Sequence, residues 1–208
     1  MIRFITTIIL FVCGALSAQS QYQTDMQKGI NLFNEGKNTE ALVVFEKVAA
    51  TDKANWLPYY YVALVNTNEA FKTKDEAALT SLLNKAQVAQ DIAMVLSKNN
   101  AELLVSQARI HTARIAYNPM VYGRKLFFTV NELYSEAQRL APDNPRVVIC
   151  KAEFEIKAAA YMGNDIAPLC DEVTRSIGLF ANFKPETPFS PNWGKERADA
   201  ALKQCSSK

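Results

Sequence analysis

The stretch Gly36-Lys37-Asn38-Thr39-Glu40-Ala41-Leu42-Val43-Val44-Phe45-Glu46-Lys47-Val48 decides the fold, because the spacing of three of its residues recurs along the chain. Ala41, Phe45 and Val48 form one stripe of a helix that packs very close to a neighbour. The same offsets recur at Leu79, Leu83 and Ala86, at Val130, Tyr134 and Ala137, and at Ile166, Cys170 and Val173. This repetition predicts stacked pairs of helices, an architecture typical of binding scaffolds.

The composition favours an all-α protein. The chain has 208 residues, of which 49% are hydrophobic and 21% are charged, as in a globular domain. It contains only 7 Gly and 8 Pro, and β-branched residues seldom alternate with polar ones. The net charge of +2 is too small to indicate nucleic acid or an anionic membrane as a partner.

Residues 1–18 are predicted to be a signal peptide. A positive charge at Arg3 is followed by an apolar run, which is too short to span a bilayer, and then by small residues before Gln19. An uncleaved anchor is one alternative. Lipid modification at Cys13 is another, although Val12 is not the small residue that this modification requires. We therefore expect an exported chain in the periplasm or cell envelope, without membrane insertion after cleavage.

The hydrophobic pattern predicts nine helices, at residues 22–35, 38–51, 55–72, 75–97, 100–117, 124–140, 145–162, 165–181 and 192–205. A loop is expected at 118–123. In residues 183–191 a proline stands at every third position, which is the period of a polyproline II segment. This segment is expected either to strap the last helix pair or to fold into the groove of the array. The ninth helix, with Ser190 as its N-cap, is expected to cap the array.

These features resemble the tetratricopeptide repeat (TPR). Gly29 stands where that family has a close-packing glycine, and Ala141-Pro142-Asp143-Asn144-Pro145 resembles its helix-ending turn. Residues 56–125 lack both features. The segments that carry the resemblance are residues 22–55, 130–145 and 146–175. It implies a TPR-like right-handed superhelix of about eight antiparallel helices with a C-terminal capping helix. The array would cover residues 19–182, and the strap and capping helix residues 183–208.

The mature chain is also similar to a group of exported TPR proteins of Bacteroidetes-type bacteria. The similarity lies in Ala116-Tyr117-Asn118-Pro119-Met120 and in the segment from Phe183 to Glu196. It implies a fold and an exported location. It implies no particular activity.

Catalytic and metal sites have little support in the sequence. His111 is the single histidine, and it shares a helix face with Gln107, Arg114 and Asn118. Such a face could line a groove and bind a carboxylate, or it could simply be solvated. No Cys or His residues lie at ligand spacing, and no glycine-rich phosphate loop is present. We therefore expect no metal, no cofactor and no nucleic-acid partner.

The run Tyr59-Tyr60-Tyr61 is the best candidate for a binding surface. Three consecutive helical residues cannot all face one core, so at least one tyrosine should reach a surface or a core boundary. In a TPR-like array Tyr60 or Tyr61, together with Asn68, would face the concave side. The predicted groove residues are Tyr60, Tyr61, Asn68, His111 and Arg114.

Three cysteines follow the predicted signal peptide, which permits at most one internal disulfide. Cys150 and Cys170 lie on consecutive predicted helices and could pair. Buried thiols are the favoured prediction, because Cys170 occupies the large-residue position of the stripe.

The sequence as a whole predicts a non-enzymatic scaffold that binds a protein or peptide segment through its concave face. A structural subunit that packs into an envelope assembly through its convex or terminal surfaces is the alternative. A thiol-based enzyme is a third possibility, which an accessible and reactive cysteine would support.

Overall fold

A computed structural model of the protein describes residues 19–206, and the predicted signal peptide lies outside this part of the chain. The described residues contain helices and no strand, which confirms the all-α prediction. The helices are α1 (19–34), α2 (Asn38–Thr51), α3 (Trp56–Ala70), α4 (Glu76–Leu96), α5 (Ala101–Tyr117), α6 (Pro119–Leu140), α7 (Pro145–Met162), α8 (Ala167–Asn182) and α9 (Lys195–Ser206).

Short polar side chains start most of these helices. The residue before the helix accepts a hydrogen bond from a backbone N–H of the first turn, which satisfies a donor that has no partner within the helix. Asn55, Asp75, Asn100, Asn118 and Asn144 cap α3 to α7 in this way.

Two predicted helix starts are wrong. The expected loop at 118–123 is helical, because Asn118 is the N-cap of α6 and Pro119 occupies the first turn, where a missing N–H does no harm. The last helix begins at Lys195, so Ser190 is not its cap. The Ser190 hydroxyl instead accepts a 3.1 Å hydrogen bond from the backbone N–H of Thr187.

Helices that follow one another in the chain pack against each other. The tightest pairs are α3 with α4, α5 with α6, and α7 with α8. The first members of these pairs, α3, α5 and α7, also contact one another in series. The stripe residues Ala41, Phe45 and Val48 are buried between helices, as are the corresponding residues of α4 and α6. Gly29 of α1 lies directly against the ring of Phe45, where a Cβ atom would come within 2.6 Å of Cε1.

The C-terminal strap (residues 183–194) joins α8 to α9 and extends beyond the last helix pair. The backbone carbonyl of Phe189 accepts a 3.0 Å hydrogen bond from the Tyr61 hydroxyl, and the Phe189 and Tyr22 rings form a T-shaped pair with centroids 5.6 Å apart. The indole N–H of Trp193 donates to the Tyr60 hydroxyl at 2.8 Å. The strap therefore reaches α1 and α3, at the other end of the array.

The cysteine predictions are corrected by the structure. Cys170 of α8 and Cys205 of α9 form a disulfide, and Cys150 is a free, buried thiol. Neither the favoured set of unpaired thiols nor a Cys150–Cys170 bridge is present. The bridge forms because α9 packs on α8, with Ala198 and Ala201 on its buried side.

Candidate functional site

An inner cavity of about 800 Å³ lies where the strap faces the array. Most of the side chains that line it are aromatic, carboxamide or charged, and Thr112 and Cys150 line it as well. The aromatic ones are Phe33, Phe71, Tyr134, Phe154 and Trp193. The carboxamides are Asn34, Asn38, Asn68 and Asn192, and the charged ones are Lys72, Arg109, Glu153, Lys157, Glu196 and Arg197. The cavity thus combines flat apolar walls with more cations than carboxylates.

Arg109 of α5 is the most unusual residue of this cavity. Only 3% of it is exposed, and it forms no ion pair with any residue of 19–206. Its Nη2 donates a 2.6 Å hydrogen bond to Oδ1 of Asn68, whereas Nε and Nη1 are buried without a hydrogen-bond partner among the described residues. A buried charge without a counter-ion is expensive, so this arrangement favours the arrival of an anion.

Two aromatic rings cover the Arg109 guanidinium. Its Cζ lies 4.9 Å from the centroid of the Trp193 ring and 5.5 Å from that of Phe71. Both distances permit a cation–π interaction, which offsets part of the cost of burying the charge. Because Trp193 belongs to the strap, the contents of the cavity and the position of the strap are physically linked.

Two other arginines near the cavity, the buried Arg146 and the partly buried Arg197, are paired with carboxylates, in contrast to Arg109. Arg146 is 1% exposed, and its guanidinium binds both carboxylate oxygens of Glu102 at 2.6 to 3.0 Å. The Phe183 ring of the strap lies 4.3 Å from its Cζ. Arg197 binds Glu153 at 2.5 Å. Arg109 is therefore the buried cation of the described chain that still lacks a partner carboxylate.

The thiol and the phenol that line the cavity, Cys150 and Tyr134, are unsuited to proton transfer near neutral pH. Burial raises the pKa of the Cys150 thiol, although the neighbouring Arg109 guanidinium acts in the opposite direction. Burial likewise raises the pKa of the Tyr134 hydroxyl far above its usual value. A protonated thiol is a poor nucleophile, so Cys150 gives no support to a thiol-based enzyme. No cluster of three or more His, Cys, Asp or Glu residues suited to a metal occurs in residues 19–206.

The predicted groove residues do not form one surface. Tyr60 and Tyr61 are 1% and 2% exposed, because the strap covers the side of α3 that carries them. Asn68 does line the cavity and binds Arg109. His111 and Arg114 are absent from the cavity wall, and His111 instead contacts Gln107, whose amide bonds with Gln87 of α4.

Sequence reasoning missed both Arg109 and Trp193 as site residues. The predicted polar face of α5 contains Gln107 and His111. Arg109 lies two positions from Gln107 and therefore on the far side of the helix. The feature that could have indicated a buried arginine is its position between the apolar residues Ala108 and Ile110. Trp193 could not be placed without knowing where the strap runs.

The protein is an all-α array of helices with an inner cavity, and the wall of this cavity includes Arg109, a buried arginine without a partner carboxylate among the described residues. No family model and no curated protein sequence matches the chain. Among solved structures it is similar to the HusA haemophore from Porphyromonas gingivalis, with a TM-score of 0.79 and 20% sequence identity. The match covers 89% of this chain and 93% of that one. At this identity the similarity establishes the shared fold.

Proposed function

We propose that this protein is a non-enzymatic binding protein of the bacterial cell envelope that takes a carboxylate-bearing tetrapyrrole of the haem type into its inner cavity. The observation that carries the proposal is the buried guanidinium of Arg109, which has two N–H-bearing nitrogens without a partner on the cavity wall. The similarity to a haemophore supports the choice of ligand class. The predicted signal peptide at residues 1–18 supports the location.

The cavity suits a flat, acidic ligand in size and in chemistry. Its volume of about 800 Å³ falls within the range of ordinary small-molecule sites. The rings of Phe71, Phe154 and Trp193 offer surfaces on which a flat ring system can stack. An arginine binds a carboxylate through charge-assisted hydrogen bonds, which are the strongest that a side chain can offer. Lys72 and Lys157 add positive charge at the wall.

Binding requires a movement of the strap. Nε and Nη1 of Arg109 are covered, so a carboxylate reaches them only when Trp193 or Phe71 moves away from the guanidinium. Trp193 belongs to the strap, whereas Phe71 directly follows the last residue of α3. We expect the ligand to displace Trp193 together with the strap, which breaks its hydrogen bond to Tyr60.

Iron is not required for this mode of binding. Tyr and Cys are haem-iron ligands in other proteins, and Tyr134 and Cys150 both line the cavity. Burial raises the pKa of both groups, so each holds its proton and is a weak ligand near neutral pH. The sole histidine lies outside the cavity wall. An iron-free porphyrin should therefore bind about as well as haem.

The test is a titration of the chain from Gln19 onward with haem, protoporphyrin IX and protoporphyrin IX dimethyl ester, followed by porphyrin absorbance and tryptophan fluorescence. Haem and protoporphyrin IX should bind saturably, and the ester at least about tenfold more weakly, as the loss of one charge-assisted hydrogen bond implies. Arg109→Gln should weaken the two acids similarly and leave the ester unchanged.

Arg114→Gln is the matched control, because Arg114 is on the same helix but does not line the cavity. It should leave all three affinities unchanged. Circular dichroism and thermal unfolding of Arg109→Gln separate a lost contact from a lost fold, and Arg109→Lys provides a second variant that keeps the charge. Absence of saturable binding by both haem and protoporphyrin IX would refute the proposed function.

A peptide-binding scaffold with the TPR-like superhelical arrangement is the second candidate. The carboxamides of Asn34, Asn38, Asn68 and Asn192 favour it, because each both donates and accepts, as a peptide group requires. In this case residues 19–182 are the array and residues 183–208 a displaceable strap and cap, and release of the strap exposes Tyr60 and Tyr61. His111 and Arg114 would then extend the contact along α5.

The two candidates are distinguished by capture from the native envelope. A peptide-binding scaffold should retain specific proteins on the tagged mature chain in the presence of excess haem, whereas a haem-type binding protein should retain none. A structural subunit should instead travel in a large complex whose mass falls after mild detergent extraction.

A further inference from the structure

The outward face of the first half of α6 carries exposed apolar side chains. Met120 is 79% exposed and Phe128 is 74% exposed. At the adjoining end of α7, Tyr161 is 72% exposed and Met162 is exposed as well. The Tyr161 hydroxyl lies 3.4 Å from the Met120 sulfur, so the residues of both helices form one surface. We refer to Met120, Phe128, Tyr161 and Met162 as the apical patch.

The patch is not a frayed part of the core. The opposite face of α6 is packed in the ordinary way, because Val130 is fully buried and the Phe127 ring lies 5.6 Å from that of Phe154 in α7. The first half of α6 is therefore apolar on two opposite faces. A helix of this kind is normally covered on both sides. Large exposed apolar side chains grouped in this way mark an interaction surface.

The charges around the patch are mostly basic, and the nearest acidic residues in sequence are Glu132, one turn after Phe128, and Asp165, after Met162. Arg124 and Lys125 are exposed on the same face of α6, between Met120 and Phe128. Lys157 is exposed one turn before Tyr161. Residues 118–131 and 156–164 contain no Asp or Glu. The net charge of the whole chain is only +2, so this grouping is local and gives the patch a positive potential.

We propose that the apical patch docks the protein on an anionic lipid surface. The chemistry matches such a surface, because methionine and aromatic side chains enter the boundary of the acyl chains while lysine and arginine stay at the headgroups. Tyrosine is enriched at this depth of a membrane. Basic side chains next to the inserted residues add attraction to anionic lipids. None of the four patch residues lines the cavity, although Lys157 beside the patch does.

The test is cosedimentation of the chain from Gln19 onward with vesicles of phosphatidylcholine alone and with one third phosphatidylglycerol. We expect binding to the anionic vesicles that is lost in about 0.5 M salt, where exposed charges are screened. The double variant Met120→Ser/Phe128→Ser should bind at least fivefold more weakly, and Arg124→Gln/Lys125→Gln should lose the preference for the anionic lipid.

Val88→Ser/Val95→Ser is the matched control. It removes two exposed apolar residues from α4, which carries charges of both signs at the exposed Lys85 and Asp91. This variant should bind vesicles like the parent chain. Equal loss in the control, or no binding to anionic vesicles, would overturn the proposal. A dimer in solution that becomes monomeric in Met120→Ser/Phe128→Ser, without vesicle binding, would instead assign the patch to a second copy of the chain.

Discussion

The indole Nε1 of Trp193 donates a 2.8 Å hydrogen bond to the hydroxyl of Tyr60, although the two residues are 133 positions apart in sequence. The same indole ring lies 4.9 Å from the Arg109 guanidinium carbon. Tyr60 therefore holds in place the side chain that covers the unpaired cation of the cavity. Trp193 therefore both attaches the strap to α3 and covers the Arg109 guanidinium.

Tyr60→Phe should destabilise the protein by about 1 kcal/mol, because the indole N–H loses its acceptor at a part-buried site. Urea unfolding followed by circular dichroism measures this. In the double variant with Trp193→Phe, the loss should be smaller than the sum of the two single losses. Tyr161→Phe is the control, because its exposed hydroxyl reaches only a sulfur. Additive losses would mean that the two residues do not interact.

Gly29→Ala should destabilise the protein by about 1–3 kcal/mol, the usual cost of adding a methyl group to a packed interface. The new Cβ would come within 2.6 Å of Phe45 Cε1 and 2.9 Å of Cδ1. Phe45 cannot easily move away, because it is fully buried and its ring stacks on Tyr61 at 4.7 Å. Thermal and urea unfolding give the difference.

Gly123→Ala is the control for Gly29→Ala. Gly123 is also helical, but a Cβ there meets nothing within 4 Å. Alanine should stabilise this position by up to about 1 kcal/mol through its helix propensity. Similar effects at the two sites would show that α1 and α2 are not closely packed at Gly29.

The contrast between these residues shows how far the sequence predicts the fold. The stripe of Phe45 repeats with the helical period, so local spacing is enough to find α2, whose observed range Asn38–Thr51 equals the predicted one. Nothing local indicates that the strap lies on α3. If the contact with the strap is left out, Tyr60 and Tyr61 are expected to be exposed on the concave face. The sequence therefore predicts a binding surface at two residues that the strap in fact buries. The Cys170–Cys205 bridge depends on the same long-range route of the chain.

Glu102→Gln should destabilise the protein by about 3–5 kcal/mol, because it leaves the Arg146 cation buried without a counter-charge. Replacing both residues, as Glu102→Leu/Arg146→Met, should recover much of this loss of stability. The double variant leaves no buried charge without a counter-charge, and a buried ion pair itself adds little net stability. Glu136→Gln is the control. Its partner Arg139 is exposed, and such surface pairs contribute under about 1 kcal/mol. Urea unfolding compares the variants, and equal effects at Glu102 and Glu136 would contradict the burial of the first pair.

Reduction of the Cys170–Cys205 bridge should destabilise the chain from Gln19 onward by about 3–4 kcal/mol. The cysteines are 35 positions apart, and opening a loop of this size increases the entropy of the unfolded chain by that order. Thermal unfolding with and without dithiothreitol measures the effect, and Cys170→Ala/Cys205→Ala should show no response to the reductant. Under denaturing, non-reducing conditions only Cys150 should alkylate. Alkylation of three thiols would exclude the bridge.

His111 should titrate below the ordinary histidine range, which is near pH 6.5. Burial lowers its pKa, and the positive charge of Arg114 lowers it further. Because the chain has one histidine, a single imidazole resonance in a proton NMR titration reports the value directly. Arg114→Gln should move the midpoint upward, toward the value of a free histidine.

The lowered pKa of His111 also has a consequence for stability. The neutral imidazole is favoured in the folded state, so its contribution is present above about pH 6.5 and is lost as the pH falls through the folded pKa. His111→Gln should remove this contribution, and its free energy of unfolding should therefore depend less on pH below about 6.5 than that of the parent chain. Parallel pH profiles of the two proteins, measured by urea unfolding, would show that the imidazole has the same pKa in the folded and unfolded states.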